Sequence, residues 1–263
     1  MTNSANWFKN AWFKWQLLLI GCLVTGLWQN IVLAQSTKFF RVETGEVPVH
    51  VLSKEARYRF TDFQHGKVTF YNNRTATAKL NYNRLYQEMQ FIDRKQDTLS
   101  IVDNPPVKEV LINEVRFDFH PEYGYLEEIA DFENCKLAGS HRLQLVRDED
   151  LGSSSSIDGF FGRSGAGNPI PPSLNINRAL TEREFYRKPA SQPQTLASLT
   201  TYYLMDFNQR WYLAQKSSLK RVFSDHRESV EQFLEENKVN FNDAQDLTEL
   251  LRFCSQLGRE AGE

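Results

Sequence analysis

The side chains that could do chemistry in this chain are few and lie far apart. Its five histidines show no His-x-His, His-Glu-x-x-His or Cys-x-x-Cys spacing, the patterns that place several metal ligands together. We therefore expect no metal site and no cofactor. The histidines are His50, His65, His120, His141 and His226.

His141 lies in a segment whose pattern can be interpreted. It shares one face with Leu143 and Leu145, whereas Arg142 and Gln144 alternate with them, and this period of two predicts a half-buried strand. A histidine on an apolar strand face is more often a hydrogen-bonded core residue than a catalytic one. We predict a structural role for His141.

The carboxylates and hydroxyls do not form a catalytic pattern either. Glu127 and Glu128 are neighbours, so in a strand they point to opposite faces, and Glu235 and Glu236 are a solvated helix surface. The chain has no Gly-x-Ser-x-Gly sequence. We assign no catalytic residue and expect a protein that is not an enzyme. A site assembled from distant residues, such as two carboxylates about 5 to 9 Å apart, remains the alternative.

Residues 152–180 are rich in Gly, Ser and Pro and show no periodicity. Gly162, Gly165 and Gly167 could suggest a phosphate-binding loop, but such a loop leads into a helix. The prolines that begin at Pro169 forbid that helix. The segment is therefore interpreted as a flexible loop.

The N-terminus has the three parts of a secretory signal peptide. Lys9 and Lys14 precede the apolar run at 17–28, and Ala34 provides a small residue before the expected cut in front of Gln35. The apolar run is shorter than the roughly 20 residues that cross a bilayer. An uncleaved anchor and lipid attachment at Cys22 are the two alternatives.

Removal of residues 1–34 changes the charge and the cysteine count. Those residues carry two lysines and no acid, which leaves 29 basic and 33 acidic residues and no basic stripe. Nucleic acid is therefore not an expected partner. Cys135 and Cys254 remain, and they could form one disulfide in an oxidising compartment. Cys254 falls on the apolar stripe of a predicted helix, which favours two buried, unpaired thiols.

Residues 35–151 predict an antiparallel β domain. Short segments of alternating polarity are separated by turn residues, with no crossover helix between them. Half-polar strands imply one packed and one solvated face. The fold class is mainly β (α+β), an antiparallel meander that forms a sandwich or a small, partly open barrel. The predicted strands include 67–71, 75–82, 85–92, 98–102, 107–112, 114–119, 125–132 and 141–145.

The C-terminal part adds strands and then helices. Residues 181–215 predict further strands of the same domain, at Glu184 to Arg187, Thr200 to Met205 and Trp211 to Ala214. Residues 216–258 predict short amphipathic helices, the last beginning with an Asn242–Gln245 capping box and ending at Gly258.

Two segments resemble a known group of proteins. The block from Ala78 to Asp93, with Asn81-Tyr82-Asn83 as its most distinctive part, and the following 97–101 resemble the core of an uncharacterised family of exported β-rich proteins from Bacteroidota-type Gram-negative bacteria. The tail at 223–253 resembles endings found in such proteins. The resemblance implies export and a β-rich fold, and it implies no reaction and no catalytic residues.

These observations predict an exported, non-catalytic protein of the periplasm or cell surface of a Gram-negative bacterium. It would bind an unknown envelope protein or a small ligand through its sheet face or open end, and it would not be an integral membrane protein after cleavage. The first alternative is a hydrolase of envelope glycans or peptides. The second is a calycin-like carrier of small ligands, which requires a closed barrel with an apolar lumen.

Overall fold

The computed structural model describes residues 37–101, 106–146 and 183–260. Several predicted features lie outside the described residues: the signal peptide at 1–34, its cleavage between Ala34 and Gln35, the alternative lipid site at Cys22, and the loop at 152–180.

Eleven strands form one antiparallel sheet in the described part of the chain. Across the sheet the order is β1-β10-β9-β8-β7-β6-β2-β3-β4-β5, and β11 also pairs with β10. The strands are β1 Phe39–Val42, β2 Gln64–Phe70, β3 Thr75–Asn83, β4 Glu88–Ile92, β5 Thr98–Ser100, β6 Val107–Ile112, β7 Val115–His120, β8 Gly124–Asp131, β9 Lys136–Val146, β10 Gln194–Met205 and β11 Trp211–Leu213.

The predicted fold class is confirmed, because the chain is mainly antiparallel sheet with a few C-terminal helices. The sequence left two forms open, and the structure has a single open sheet that does not close on itself. The closed barrel that a calycin-like carrier requires is therefore not formed by the described strands.

One face of the sheet carries an aromatic core. The ring of Tyr82 on β3 lies 5.8 Å from that of Phe117 on β7 and 6.1 Å from that of Tyr125 on β8, measured between centroids. Because β2, β6 and β7 lie between β3 and β8 in the sheet, these contacts require the sheet to curl. We call this inner side the concave face. The buried members of its core are Val68, Leu80, Tyr82, Met89, Val107, Val110, Ile112, Phe117, Phe119 and Tyr125.

Two hairpin turns are held by the same hydrogen bonds to an Asp side chain. In each turn a Gln follows the Asp by three positions. Asp93 Oδ1 accepts hydrogen bonds from the N–H groups of residues two and four further on, and Asp206 Oδ1 does the same. In both turns the residue three positions after the Asp has positive φ, +70° at Gln96 and +61° at Gln209. The Asp side chains hold a backbone conformation that a glutamine would otherwise avoid.

Five helices complete the described part of the chain. The three C-terminal ones pack their apolar side chains against Leu137, Tyr202 and Leu204 of β9 and β10, in a cluster that also contains both cysteines. No helix among the described residues is both long enough and apolar enough to span a membrane. The helices are α1 Pro48–Val51, α2 Lys54–Arg57, α3 Lys216–Val222, α4 Arg227–Glu236 and α5 Ala244–Glu260, with a 3₁₀ turn at Ser224–His226.

The N-terminus of α5 lies one residue later than the predicted capping box. Asp243 Oδ1 accepts hydrogen bonds from the N–H groups of Gln245 and Asp246 at 2.8 and 3.1 Å, so Asp243 is the capping residue. Asn242 instead donates its own N–H to the side chain of Asn240.

Two other segments differ from the sequence prediction. Residues 183–185 form a helical turn, and residues 186–188 continue as turns and a bend, where a strand was predicted from Glu184 to Arg187. The segment is too short for its period to distinguish the two structures. At the C-terminus, α5 continues through Gly258 to Glu260.

Candidate functional site

A group of polar side chains interrupts the apolar lining of the concave face. It comprises Arg59, Arg84, Glu127, His141 and Thr200, and we call it the Arg–Glu–His cluster. Glu127 lies on β8, His141 on β9 and Thr200 on β10, while the two arginines flank the end of β3.

Strand register brings the three sheet residues together. Glu127 pairs with Gly139 on β9, and His141 pairs with Thr200 on β10, so all three side chains lie on the same face. Gly139 leaves the space between them open. A Cβ atom at that position would lie 3.3 Å from Cγ2 of Thr200 and 3.5 Å from Nε2 of His141.

Arg59 is held in place by the end of β3. Its N–H donates to the carbonyl of Tyr82 at 2.9 Å, and the next residue, Phe60, donates its N–H to Oδ1 of buried Asn81. The Asn81 amide in turn donates to the carbonyl of Phe60 at 2.8 Å. The backbone around Arg59 therefore continues the sheet beside β3 and directs the guanidinium across the concave face to β8.

Arg59 and Glu127 form the central ion pair. Nε and Nη2 of Arg59 donate to Oε2 and Oε1 of Glu127 at 2.6 and 2.8 Å, and the Glu127 side chain is 10% exposed. Burial raises the pKa of Glu127, but the contacts of the carboxylate with His141 and Arg59 outweigh that effect and lower the pKa to about 2. The same bond raises the pKa of Arg59. Both groups are ionised at neutral pH.

His141 lies between Glu127 and Thr200. Its Nδ1 atom is 3.0 Å from Oγ1 of Thr200, within hydrogen-bond distance. Its Nε2 atom is 3.3 Å from Oε2 of Glu127, an ion-pair contact whose angle does not make a well-formed hydrogen bond. His141 lies on the packed face with Thr200 as a side-chain partner, and the structural role that the sequence suggests for it stays a prediction.

Arg84 differs from the other members because no carboxylate contacts it. Its N–H donates to the carbonyl of Arg57 at 2.7 Å, and its carbonyl accepts from the N–H of Leu143 on β9 at 3.0 Å, which fixes the backbone. The Nε atom is buried and has no hydrogen-bond partner. Burial and then the like charge of Arg59 lower the pKa of Arg84.

The neighbouring carboxylates point to opposite faces, as predicted. Glu127 contacts Arg59 on the concave face, whereas Glu128 accepts from Nζ of Lys136 at 3.0 Å on the other face. Lys136 also lies 2.9 Å from Asp131. Glu235 and Glu236 are exposed on α4.

The other predicted residues are dispersed. His120 stacks on Tyr123 at the turn between β7 and β8, with centroids 4.5 Å apart, while His50, His65 and His226 lie on separate elements. The described residues contain no group of three His, Cys, Asp or Glu side chains that could hold a metal ion.

Cys135 and Cys254 are both buried and unpaired. They belong to the same apolar cluster beneath the C-terminal helices. Burial raises the pKa of each thiol to about 12, with a further contribution to Cys135 from Asp131 and to Cys254 from Cys135. The disulfide that the sequence left open is therefore not present in this structure. Thiols with a raised pKa are poor nucleophiles at neutral pH.

The order hydroxyl, imidazole, carboxylate is the order that acyl-transfer enzymes use. Here, however, the Glu127 carboxylate forms a bidentate ion pair with Arg59. Its pKa of about 2 makes it a weak proton acceptor. The cluster is better suited to holding the sheet together and to placing positive charge. No local pattern in the sequence indicates Arg59, Arg84 or Thr200, because these three residues are separated from one another by 25 and 116 positions.

The fold and this cluster define an α+β protein. It consists of one open, curled antiparallel sheet that carries the Arg–Glu–His cluster on its concave face. No protein-family model, curated protein or solved structure matches the chain. The resemblance to exported β-rich proteins therefore stays a prediction.

Proposed function

We propose that the protein is an exported, non-catalytic binding module that takes up an extended segment of a partner polypeptide along the edge strand β1. The observation that carries the proposal is that β1 ends the sheet and presents main-chain groups on its outer side. Unpaired edges of this kind are the surfaces on which strand addition occurs.

The hydrogen-bond pattern identifies the outward-facing residues. The N–H of Ser198 on β10 donates to the carbonyl of Lys38 at 2.8 Å. Along a strand, the N–H and C=O groups of successive residues point alternately to one side and to the other. The main-chain groups of Lys38, Phe40 and Val42 therefore point towards β10, and those of Phe39 and Arg41 point away from it. In the described part of the chain no strand covers that side.

The side chains of β1 fit a peptide partner. Phe39 is 45% exposed, which offers an apolar contact, and Arg41 forms only an exposed ion pair with Glu43 at 2.8 Å. At the opposite edge of the sheet, β5 has three residues, and Ser100 is engaged with Glu88 and Arg183. The β1 edge is therefore the longer of the two.

A pair of proline variants tests the site. Arg41→Pro removes one outward N–H and leaves the bonds to β10 in place, because Arg41 is not among the residues that face β10. Thr98→Pro is the matched control on β5. The main chains of Asp97 and Ile101 form hydrogen bonds with Asp93 and Met89, so the N–H of Thr98 points away from β4. We expect residues 35–263 to capture a polypeptide from envelope fractions, and Arg41→Pro to weaken capture about fivefold or more while Thr98→Pro does not.

Hydrogen exchange supplies the structural readout. The captured polypeptide, once purified and returned to the protein, should slow amide exchange at Phe39 and Arg41. Capture that leaves both amides unprotected, or that is equal in the two proline variants, would contradict binding at β1.

Export is tested separately. N-terminal sequencing of the protein recovered from the periplasm should begin at Gln35. A lipid-modified start at Cys22 would replace the soluble form with an anchored one, and recovery of the full chain from the cytoplasm would contradict export.

A second candidate function, a hydrolase of envelope peptides or glycans, is favoured by the line of Thr200, His141 and Glu127. It predicts that a fluorophosphonate probe labels Thr200, and that labelling is lost in His141→Gln. Retained labelling in Thr200→Val would exclude this residue as the nucleophile.

A further inference from the structure

The cations of the concave face outnumber its anions. Arg59 donates to both oxygens of Glu127, whereas Arg84 forms no ion pair with that carboxylate. The other carboxylate near this region, Glu88, is bonded to Arg183 and to Ser100. Arg84 thus forms no ion pair with a described acid, and the charge of Glu127 acts on it only from a distance.

The positive charge of Arg84 acts on a buried side chain of the aromatic core. Burial raises the pKa of Tyr82, and the nearby charge of Arg84 opposes that effect. Tyr82 is 1% exposed and lies at the junction of the aromatic core and the Arg–Glu–His cluster. Positive charge is therefore concentrated beside an apolar surface, where an anion is poorly screened by water and strongly attracted.

Two nitrogen atoms in the cluster lack a good acceptor. Nε of Arg84 and Nε2 of His141 are both buried and form no hydrogen bond of good geometry. A buried guanidinium nitrogen without an acceptor is unfavourable, and the charge on the group makes it more so. The backbone of Arg84 is fixed by bonds to Arg57 and Leu143, so the side chain emerges from a rigid position.

We infer that Arg84 is the centre of a binding site for an oxyanion group, either a phosphate or a carboxylate, on the concave face beside the Arg59–Glu127 pair. The planar guanidinium donates from two nitrogens to two oxygens of such a group. Arg59 and Glu127 fix the neighbouring wall of the site. The site lies on the concave face, away from the outer side of β1, and does not depend on binding there.

Thermal unfolding with inorganic phosphate and with acetate tests the inference on the 35–263 protein. Each anion is titrated at constant ionic strength set with sodium chloride, because screening alone also alters stability. We expect one of the two to raise the midpoint of unfolding in a saturable manner, as a ligand of the native state does. Stabilisation by phosphate alone indicates a phosphate ligand, and stabilisation by acetate indicates a carboxylate.

Arg84→Gln and Arg84→Lys locate the effect. Arg84→Gln should weaken anion binding about tenfold or more, and Arg84→Lys should weaken it less, because lysine keeps the charge but loses the planar pair of donors. Arg94→Gln, in the exposed turn between β4 and β5, is the control and should bind like the wild type. No saturable stabilisation by either anion, or equal stabilisation of Arg84→Gln and the wild type, would overturn the inference.

Discussion

Replacement of Glu127 by glutamine should destabilise the protein by removing the only negative charge of the Arg–Glu–His cluster. The fall of the Glu127 pKa from its ordinary 4.5 to about 2 corresponds to about 3 kcal/mol of stabilisation of the folded state. The Arg59 side chain is 32% exposed, so part of its charge is screened by water. We therefore expect Glu127→Gln to lower the free energy of unfolding by about 2 to 3 kcal/mol at pH 7.

The same pair predicts a specific dependence on pH. Because the folded-state pKa lies below the unfolded-state value, the contribution is fully present above about pH 4.5. It is lost as pH falls towards 2, where the folded carboxylate also takes up a proton. The difference in stability between the wild type and Glu127→Gln should therefore shrink across this window, as measured by urea unfolding at a series of pH values.

Glu128→Gln is a matched control on the adjacent residue. Its side chain is 23% exposed, against 10% for Glu127, and it contacts Lys136 on the other face, so the change should cost no more than about 1 kcal/mol. An Arg59→Gln/Glu127→Gln double variant should lose less than the two single variants together. A stability of Glu127→Gln within about 0.5 kcal/mol of the wild type at pH 7 would refute this account of the ion pair.

Three further predictions concern the sheet, a turn and the core. Gly66→Ala places a Cβ atom 2.7 Å from the carbonyl oxygen of Leu111. This clash with the backbone should lower the free energy of unfolding in urea by about 1 to 3 kcal/mol. An unchanged midpoint would show that β2 and β6 can move apart without cost. Gln209→Gly should raise stability by up to about 1 kcal/mol, because glycine adopts positive φ without strain, and a loss would mean that the glutamine side chain is needed. Cys135 and Cys254 should resist a thiol reagent at pH 8 in the native protein and react in urea, and rapid native labelling would contradict their burial.

Much of the sheet follows from local sequence. The strand predicted at 107–112 coincides with β6, because alternation of polar and apolar side chains is a property of the segment itself. The N-terminal strand β1 was not predicted, since four residues are too few to show a period. β10 begins at Gln194, six residues before the predicted start at Thr200, because both of its faces are packed and alternation is weak there.

The candidate site could be predicted only in part. The face of His141 and the opposite directions of Glu127 and Glu128 follow from strand geometry. Their partners could not be predicted, because Arg59 and Glu127 are 68 residues apart in sequence. Which distant strands meet is decided by the order and curl of the sheet, and single-sequence periodicity contains no information about either.

The position of β1 has a consequence for the order in which the protein folds. Phe39 pairs with Ala197, so β1 can join the sheet only after β10, one of the last strands in the chain, has been synthesised. Closing a loop of this length is entropically costly and slow, whereas the hairpins from β2 to β9 close over short distances. The Phe39–Val42 strand therefore emerges early and pairs late. During that interval two adjacent phenylalanines are unprotected, and a chaperone that shields them would affect the yield of folded protein more than its final stability.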